Sequence, residues 1–131
     1  MERKAFLLRR SLQANAIFSG LSGLALLFAA GPIASLLGIN QRAILIAIGV
    51  GLVLYAAGLL RNAQRAVPDP KEASIAVAMD LAWVVGSGIV IALGILTAAG
   101  NWVVAIVADI VLLFAILQFV GIRRLRRQTT A

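Results

Sequence analysis

Four apolar runs, each long enough to cross a membrane as a helix, constrain this chain more than any other feature of its sequence. They cover residues 11–31, 43–60, 73–99 and 102–122. A helix needs about 20 apolar residues to cross the ~30 Å hydrocarbon core of a bilayer, and it satisfies its own backbone hydrogen bonds there. Only 13% of the residues are charged, whereas soluble domains have about 25%. The sequence predicts an all-α fold, an integral membrane four-helix bundle in the lipid bilayer, as a single transmembrane domain over residues 1–131.

The basic residues indicate how the four helices are oriented. Eleven of the twelve lie in residues 3–10, 61–71 and 123–127, and Arg42 alone lies in the other two loops. Because positively charged loops stay on the cytoplasmic side, we predict that both termini and the middle loop are cytoplasmic, in a bacterial inner (plasma) membrane. The same placement accounts for the net charge of +7, so we expect no nucleic acid partner. A cleaved signal peptide is the alternative for the first run, but its apolar core would have only about 7–15 residues.

Two missing residue types limit the chemistry that the chain can perform. It contains no Cys and no His, which removes thiol chemistry, the commonest metal ligand and the usual general base. We therefore expect no enzyme activity, no metal site and no cofactor. A membrane enzyme or a binder of a lipophilic ligand stays as an alternative, because carboxylates can carry out some acid–base chemistry.

Two segments resemble each other at an offset of 65 residues, which indicates an internal repeat. Each unit would contain two of the predicted helices, so the halves would be parallel helical-hairpin repeats related by an axis along the membrane normal. The alternative is chance similarity between apolar helices. The matched pairs are Asn15 with Asp80, Phe18 with Trp83, Ser22 with Ser87, and Gly23 with Gly88.

The segments between the runs differ in character. Residues 32–42 predict a short interfacial helix that starts at Pro32 and ends at Gly38, with an apolar loop as the alternative. The composition of residues 97–101 indicates a tight external turn. The prolines in residues 67–70 indicate a break between the two halves of the chain. Within the runs, small residues four apart predict close helix contacts. The longest such row is Ser74, Ala78, Ala82 and Gly86.

A polar layer is predicted around Asp80, on the cytoplasmic side of the bundle. An Asp at the centre of an isolated span costs roughly 2.5–3.5 kcal/mol, so such residues face the bundle interior. Asp80 lies about 10 Å inside its run at 1.5 Å per residue, and Asn15 and Gln118 lie at a similar depth. Trp83 and Ser87 share the helix face of Asp80, with Ser87 deeper in the membrane.

The partner of Asp80 decides between two interpretations of this layer. In one, Asp80 is a hydrogen-bond or salt-bridge acceptor that only pins the helices together, and Arg10, Arg61 or Arg65 could extend to it from the membrane edge. In the other, Asp80 is an ion or polar-ligand site, and Trp83 lines a cavity instead of filling the bundle.

Asp109 is the second acid inside a predicted span. It lies seven residues inside Trp102, about 10 Å from the external start of the fourth run. Arg42 is the only cation near that end by topology. We predict that Asp109 faces the bundle interior. There it is either the site of a proton or cation in transit or a neutral acid bonded to a backbone carbonyl or a Ser.

A pattern of glycines and neighbouring residues in the first half of the chain resembles that of a known family. The pattern consists of Gly31-Pro32, Leu37-Gly38, Arg42, Gly49 and Gly51. It is similar to the small four-helix DoxX-like bacterial membrane proteins, and the resemblance implies the same four-helix fold. No functional residue of that family is carried over to this sequence. The first span lacks the acidic residue of the small multidrug resistance transporters, and the chain lacks the Gly-rich and Arg motifs of fluoride channels.

Two main functions fit these observations. We predict an oligomeric transporter or channel for protons, cations or small solutes, because four short helices rarely enclose a wide path alone. Asp109 would be the proton or cation site, and Asp80 would be a second site or a gate. The alternative is a non-catalytic accessory or assembly subunit of a larger membrane complex, which fits the short loops. We expect a homo-oligomer in the first case and a larger membrane complex in the second.

Overall fold

The computed structural model describes residues 2–129, with the side chains of residues 5–127, and within this range the chain forms helices and no strands. Four of the helices are long and apolar enough to cross a membrane, which confirms the predicted all-α four-helix bundle. The side chains of Arg3 and Lys4, which contribute to the predicted orientation, lie outside the described range. The helices are α1 (Glu2–Phe28), α2 (Ala30–Leu37), α3 (Arg42–Ala63), α4 (Pro70–Ala92) and α5 (Ala98–Thr129).

The loop between α3 and α4 is closed by a clamp and a helix cap. Asn62 accepts a hydrogen bond from the Asp69 N–H at 2.7 Å and donates one to the Asp69 carbonyl at 3.1 Å. The Asp69 carboxylate in turn accepts from the Lys71 N–H at 2.9 Å, and Pro70 opens α4. A capping Asp followed by Pro is typical of a helix start. These bonds hold the ends of α3 and α4 together at the predicted chain break.

The short helix between α1 and α3 is present, as the sequence predicts. Helix α2 begins at Ala30, two residues before the predicted start, and ends at Leu37. Gly38 caps it, and its φ of +80° suits a residue without a side chain. The Gly38 N–H donates to two carbonyls of the last helical turn, which completes the cap. The Thr97 N–H donates to the Leu37 carbonyl at 3.1 Å, so α2 is fastened to the start of α5.

Helix α4 ends at Ala92, seven residues before the apolar run 73–99 ends in the sequence. Gly94 adopts a φ of +68°, which reverses the chain at low cost because glycine has no Cβ. The residues around this turn are apolar, so hydropathy alone does not mark the helix end.

The external turn predicted at residues 97–101 lies earlier in the chain than expected. Helix α5 already begins at Ala98, and the turn occupies the residues before it. The Thr97 hydroxyl oxygen accepts a hydrogen bond from the Gly100 N–H at 2.9 Å, which is the bonding pattern of a helix N-cap. Thr97 therefore starts a helix instead of forming part of a loop.

Helix α1 is the central element of the packing. It lies along α3 on one side and α5 on the other, and α5 lies along α4. A methyl group placed on Gly23 would be 2.8 Å from the Gly49 carbonyl oxygen, so α1 and α3 meet backbone to backbone, as small residues permit. Helices α3 and α4 meet at few points. The bundle is therefore open along its α3–α4 side.

The best-packed part of the bundle lies at the end that holds both chain termini, which we call the terminal end; the opposite end is the far end. A methyl group on Gly121 would lie 2.8 Å from the Leu8 Cα, so α1 and α5 are also in close contact here. The buried side chains of this cluster include Leu8, Leu12, Leu59, Ile122 and Leu125.

The row of small residues on α4, which the sequence predicts to contact another helix, does not form such a contact face in the described chain. Ala78 and Ala82 are exposed, and nothing lies within 4 Å of a methyl group placed on Gly86. The spacing marks one face of the helix correctly, but that face points away from the bundle. The buried residues of α4 are Ala73, Ala76, Asp80 and Ser87.

Candidate functional site

Asp80 is the centre of a buried hydrogen-bond network. It is 4% exposed, and a side chain from each of the other three long helices donates to its carboxyl group. Asn15 Nδ2 and Gln118 Nε2 each lie 2.9 Å from Oδ2, and the Tyr55 hydroxyl lies 2.8 Å from Oδ1. The predicted layer of Asn15, Asp80 and Gln118 is therefore confirmed. One carboxyl group connects all four long helices.

The donors to Asp80 are themselves held by further bonds. Asn15 and Gln118 are fully buried, and Asn15 Nδ2 also donates to Gln118 Oε1 at 3.0 Å. The Ser19 hydroxyl donates to Asn15 Oδ1 at 2.9 Å. A buried polar network of this kind is stable only when its members are satisfied. Both amide oxygens and both carboxyl oxygens have partners here, so the network fixes one arrangement of the helices.

No cation reaches Asp80 among the described residues, so Asp80 pins the helices as a hydrogen-bond acceptor and not through a salt bridge to an arginine. Arg65 pairs with Glu72 at 3.1 Å, and Arg10 donates to Gln13 at 3.3 Å. The arginines stay at the terminal end because carboxylates and backbone carbonyls of the loop satisfy them there. Asp80 is consequently held by neutral donors alone, without a counter-ion.

Tyr55 is a member of the network that sequence reasoning missed. Its hydroxyl lies 2.8 Å from Asp80 Oδ1 and 3.1 Å from the Ala76 carbonyl oxygen, so it bridges α3 to α4 across the open side of the bundle. It is the only Tyr in the chain, and a Tyr inside a span needs a hydrogen-bond acceptor for its hydroxyl. That requirement is the signal that could have identified it.

The two remaining residues predicted near Asp80 have different positions. Ser87 is buried but makes no hydrogen bond to the network in the described part of the chain. Trp83 is half-buried and lines a cavity. This supports the interpretation that it lines a cavity instead of filling the bundle. Its indole Nε1 is buried and has no hydrogen-bond partner among the described residues.

The first cavity lies inside the bundle on the far-end side of the Asp80 network, and residues of α1, α3, α4 and α5 line it. Its volume is about 260 Å³, just below the range of roughly 300–1,000 Å³ that is typical of small-molecule sites. Its walls are mostly apolar, and the polar groups are few and lie together. Residues that line it include Phe18, Ser22, Gly51, Tyr55, Asp80 and Trp83.

A second cavity follows the α3–α4 side towards the terminal end. Its volume is about 220 Å³. Tyr55 and Met79 line both cavities, so the Tyr55–Asp80 hydrogen bond lies where the two cavities meet. The second cavity also contacts Asn62 and Glu72 near the terminal end. The two cavities are therefore neighbours, and Tyr55 and Met79 lie between them.

The α1–α5 side of the bundle is closed, in contrast to the open α3–α4 side. If the halves are repeats, α1 corresponds to α4 and α3 to α5, so the α1–α5 contact corresponds to the α3–α4 contact. Helices α1 and α5 pack closely, and the Phe18 and Phe114 rings lie 5.6 Å apart. Helices α3 and α4 leave the first cavity at the corresponding place. The repeat itself stays a prediction.

Asp109 does not face the bundle interior, which corrects the prediction. It is exposed on the outside of α5. Val107 and Val111 line the first cavity, and a residue two positions from each points to the opposite side of a helix. Arg42 packs against α2, where a methyl group on Gly31 would lie 3.4 Å from its Nη1. The rotation of α5 about its axis is therefore the part of the prediction that is wrong.

Comparison with known proteins gives no indication of the function of this site. No protein-family model, no curated protein and no solved structure matches the chain. The resemblance of its first half to DoxX-like proteins therefore stays a prediction. Within residues 2–129, no cluster of acidic side chains could hold a metal ion. The class of protein is therefore defined by the fold and the site only. It is a small integral membrane bundle with a buried polar network beside an open cavity.

Proposed function

We propose that the protein is a small membrane transporter or channel for a proton, a cation or a small solute, and that the path follows the α3–α4 side of the bundle. The observation that carries this proposal is the adjacency of two cavities of about 260 and 220 Å³, which share Tyr55, with its partner Asp80 in the wall of the first.

Asp80 has the chemistry that such a path requires. Its carboxyl oxygens accept from neutral groups only, so in its ionised form the charge is not balanced by a cation of the described residues. In surroundings of low dielectric constant, an unbalanced charge attracts an ion of opposite sign far more strongly than it would in water. Asp80 is therefore the binding site in the path, and Asp109, on the outside of α5, has no role in it.

Tyr55 acts as the barrier. Its hydroxyl bonds to Asp80 and to the Ala76 carbonyl of α4, and this bridge is a main connection on a side where the helices otherwise barely touch. When a solute or a proton occupies Asp80, the bridge loses an acceptor. The two cavities then connect more easily, because the described parts of α3 and α4 make few other contacts.

The orientation supports the same proposal. The described arginines and lysine outside the spans, apart from Arg42, lie at the terminal end of the bundle, as do both chain ends. By the positive-inside rule, the terminal end faces the cytoplasm of a bacterial inner membrane. The second cavity would then open inward. Accessibility of tags on both ends in intact and opened cells tests this orientation.

The test is flux into proteoliposomes that contain the full chain. We expect flux of protons or of monovalent cations above that of protein-free vesicles. Asp80→Asn should abolish the flux, because the amide lacks the charge, and Tyr55→Phe should increase leakage. Asp109→Asn is the matched control and should leave the flux unchanged. Wild-type flux equal to protein-free vesicles for every tested solute, or full flux in Asp80→Asn, would contradict the proposal.

A second function, a non-catalytic subunit of a larger membrane complex, is favoured by the exposed position of Asp109. A carboxyl group on the outside of a span needs a polar partner, and another protein could supply it. Purification from native membranes in mild detergent distinguishes the two functions. Recovery of a constant second protein with this chain would support the subunit role, and recovery of this chain alone would exclude it.

A further inference from the structure

The outer face of α5 carries an acid that nothing in the described chain satisfies. Asp109 is exposed, and no described residue forms a hydrogen bond or ion pair with it. Ionisable residues inside membrane spans usually face the bundle interior or pair with one another. This face of α5 is therefore incomplete in a single copy of the chain.

The depth of Asp109 makes exposure to lipid costly. Arg123 lies 21 residues after Trp102, a rise of about 32 Å in a helix, which matches the ~30 Å hydrocarbon core. Trp102 is 72% exposed, as expected for a ring at the membrane interface. Asp109 lies seven residues below it, or about 10 Å. A short Asp side chain cannot reach the interface from that depth.

The residues on this face follow the spacing of a coiled-coil seam. From Trp102 to Val120 they alternate in steps of four and three, which keeps them on one side of a helix that winds around a partner. Ile106, Leu113 and Ile116 are each more than half exposed. Asp109 is the one polar residue among them. The seam consists of Trp102, Ile106, Asp109, Leu113, Ile116 and Val120.

We propose that this seam pairs with the same seam of a second copy of the chain, in parallel. A copy inserted in the same orientation places its own Asp109 opposite Asp109 at the same depth, whatever the depth is. One carboxyl group in its acid form then donates a hydrogen bond to the other. A single polar residue in an apolar seam is also the known device for fixing the pairing of helices, and membrane helices pack with the same left-handed geometry.

The proposal does not depend on the function proposed above. The seam lies on the side of α5 opposite Val107 and Val111, so dimerisation leaves the α3–α4 side open in each copy. Absence of flux would not weaken the dimer, and absence of a dimer would not remove the path along α3 and α4.

Single cysteines test the seam directly, because the chain has none of its own. Ile106→Cys and Leu113→Cys are made in the full chain, reconstituted into liposomes at low protein density and treated with a mild oxidant. Val50→Cys on α3 is the matched control, since Val50 is five residues from Tyr55 just as Leu113 is five from Gln118. Val50 is 45% exposed and Leu113 is 54% exposed. We expect disulfide-linked dimers at both seam positions and monomer at Val50.

The role of Asp109 is tested in the Leu113→Cys background. Asp109→Asn keeps a hydrogen-bonding side chain, so the dimer fraction should persist. Asp109→Leu removes the bond and should lower the association constant about threefold, the usual effect of one interhelical hydrogen bond in a membrane. An unchanged or higher constant in Asp109→Leu would contradict the role of the acid pair.

Other results would overturn the proposal. Monomer at every position would exclude the self-association. Equal cross-linking at Val50 and Leu113 would indicate random collision. Stronger cross-linking for Ala82→Cys than for Leu113→Cys would place the contact on the exposed small-residue row of α4 instead of on α5.

Discussion

Asp80 and Asp109 are both aspartates inside membrane-spanning helices, yet the structure treats them in opposite ways. Asp80 is 4% exposed and accepts hydrogen bonds from three helices. Asp109 is exposed on the outside of α5 and has no described partner. The difference shows that depth in the membrane does not define a site. The direction in which the helix presents the side chain decides whether an acid is hydrogen-bonded inside the bundle or exposed on its outside.

The largest expected effect is on the free energy of unfolding, where we expect Asp80→Ala and Asp109→Ala to differ. Asp80→Ala removes the acceptor that Asn15, Tyr55 and Gln118 share, and should lower the free energy of unfolding by about 2–4 kcal/mol. Unfolding by a denaturing detergent in dilute mixed micelles measures this. Asp109→Ala is the control and should change the value by less than about 0.5 kcal/mol. Equal losses for the two variants would remove the contrast.

Two glycines extend the contrast from acids to backbone contacts. Gly23→Ala places a methyl group 2.8 Å from the Gly49 carbonyl oxygen, whereas Gly51→Ala meets nothing within 4 Å. We expect Gly23→Ala to destabilise the bundle by about 1–3 kcal/mol. Gly51→Ala should be neutral or stabilise by up to about 1 kcal/mol, because Ala favours a helix over Gly. The same detergent titration measures both, and a Gly23→Ala variant as stable as the wild type would contradict the close α1–α3 contact.

Tyr55→Phe sharpens the comparison on the Asp80 side. The change removes the hydroxyl that bridges α3 to Asp80 and the Ala76 carbonyl, and keeps the ring. We expect a loss of about 1 kcal/mol in the free energy of unfolding. Cysteines introduced at the first cavity should also react faster with a water-soluble thiol reagent, because the bridge is gone. Unchanged stability together with unchanged labelling would exclude the bridge.

The smallest expected effects distinguish buried residues inside the network from those outside it. Ser19→Ala removes the bond to Asn15 Oδ1 and should cost about 0.6 kcal/mol, the average for such bonds in membranes. Ser87 is also buried but lies outside the network, so Ser87→Ala should change stability by less than that. A larger loss at Ser87 than at Ser19 would show that the network has been drawn too narrowly.

The sequence predicts those features that depend on distance along a helix. Four spans follow from the length of the apolar runs, and the layer of Asn15, Asp80 and Gln118 follows from their distances to the charged flanks. Gly38 was also recognised as the end of α2, because a glycine after an apolar helical turn has few other roles.

The rotation of each helix could not be predicted. In water, the apolar side of a helix turns inward, but lipid is as apolar as leucine, so hydropathy does not mark the inner side. The sequence predicts Asp109 to face inward because it is ionisable and the small-residue row of α4 to face a neighbour because its residues are small, and both face outward. Tyr55 was missed because its contact with Asp80 depends on how α3 and α4 face each other across the bundle. The end of α4 was missed because the residues of the following turn are themselves apolar.

The central claim is that Asp80 holds the bundle together through bonds from other helices, and a double-mutant cycle tests it most directly. The free energy of unfolding is measured for Asn15→Ala, for Asp80→Ala and for the pair together. Because the two side chains bond at 2.9 Å, we expect a coupling of about 0.5–3 kcal/mol between them. Single-variant effects that add within about 0.3–0.5 kcal/mol would show that the two residues act independently, and would contradict the account.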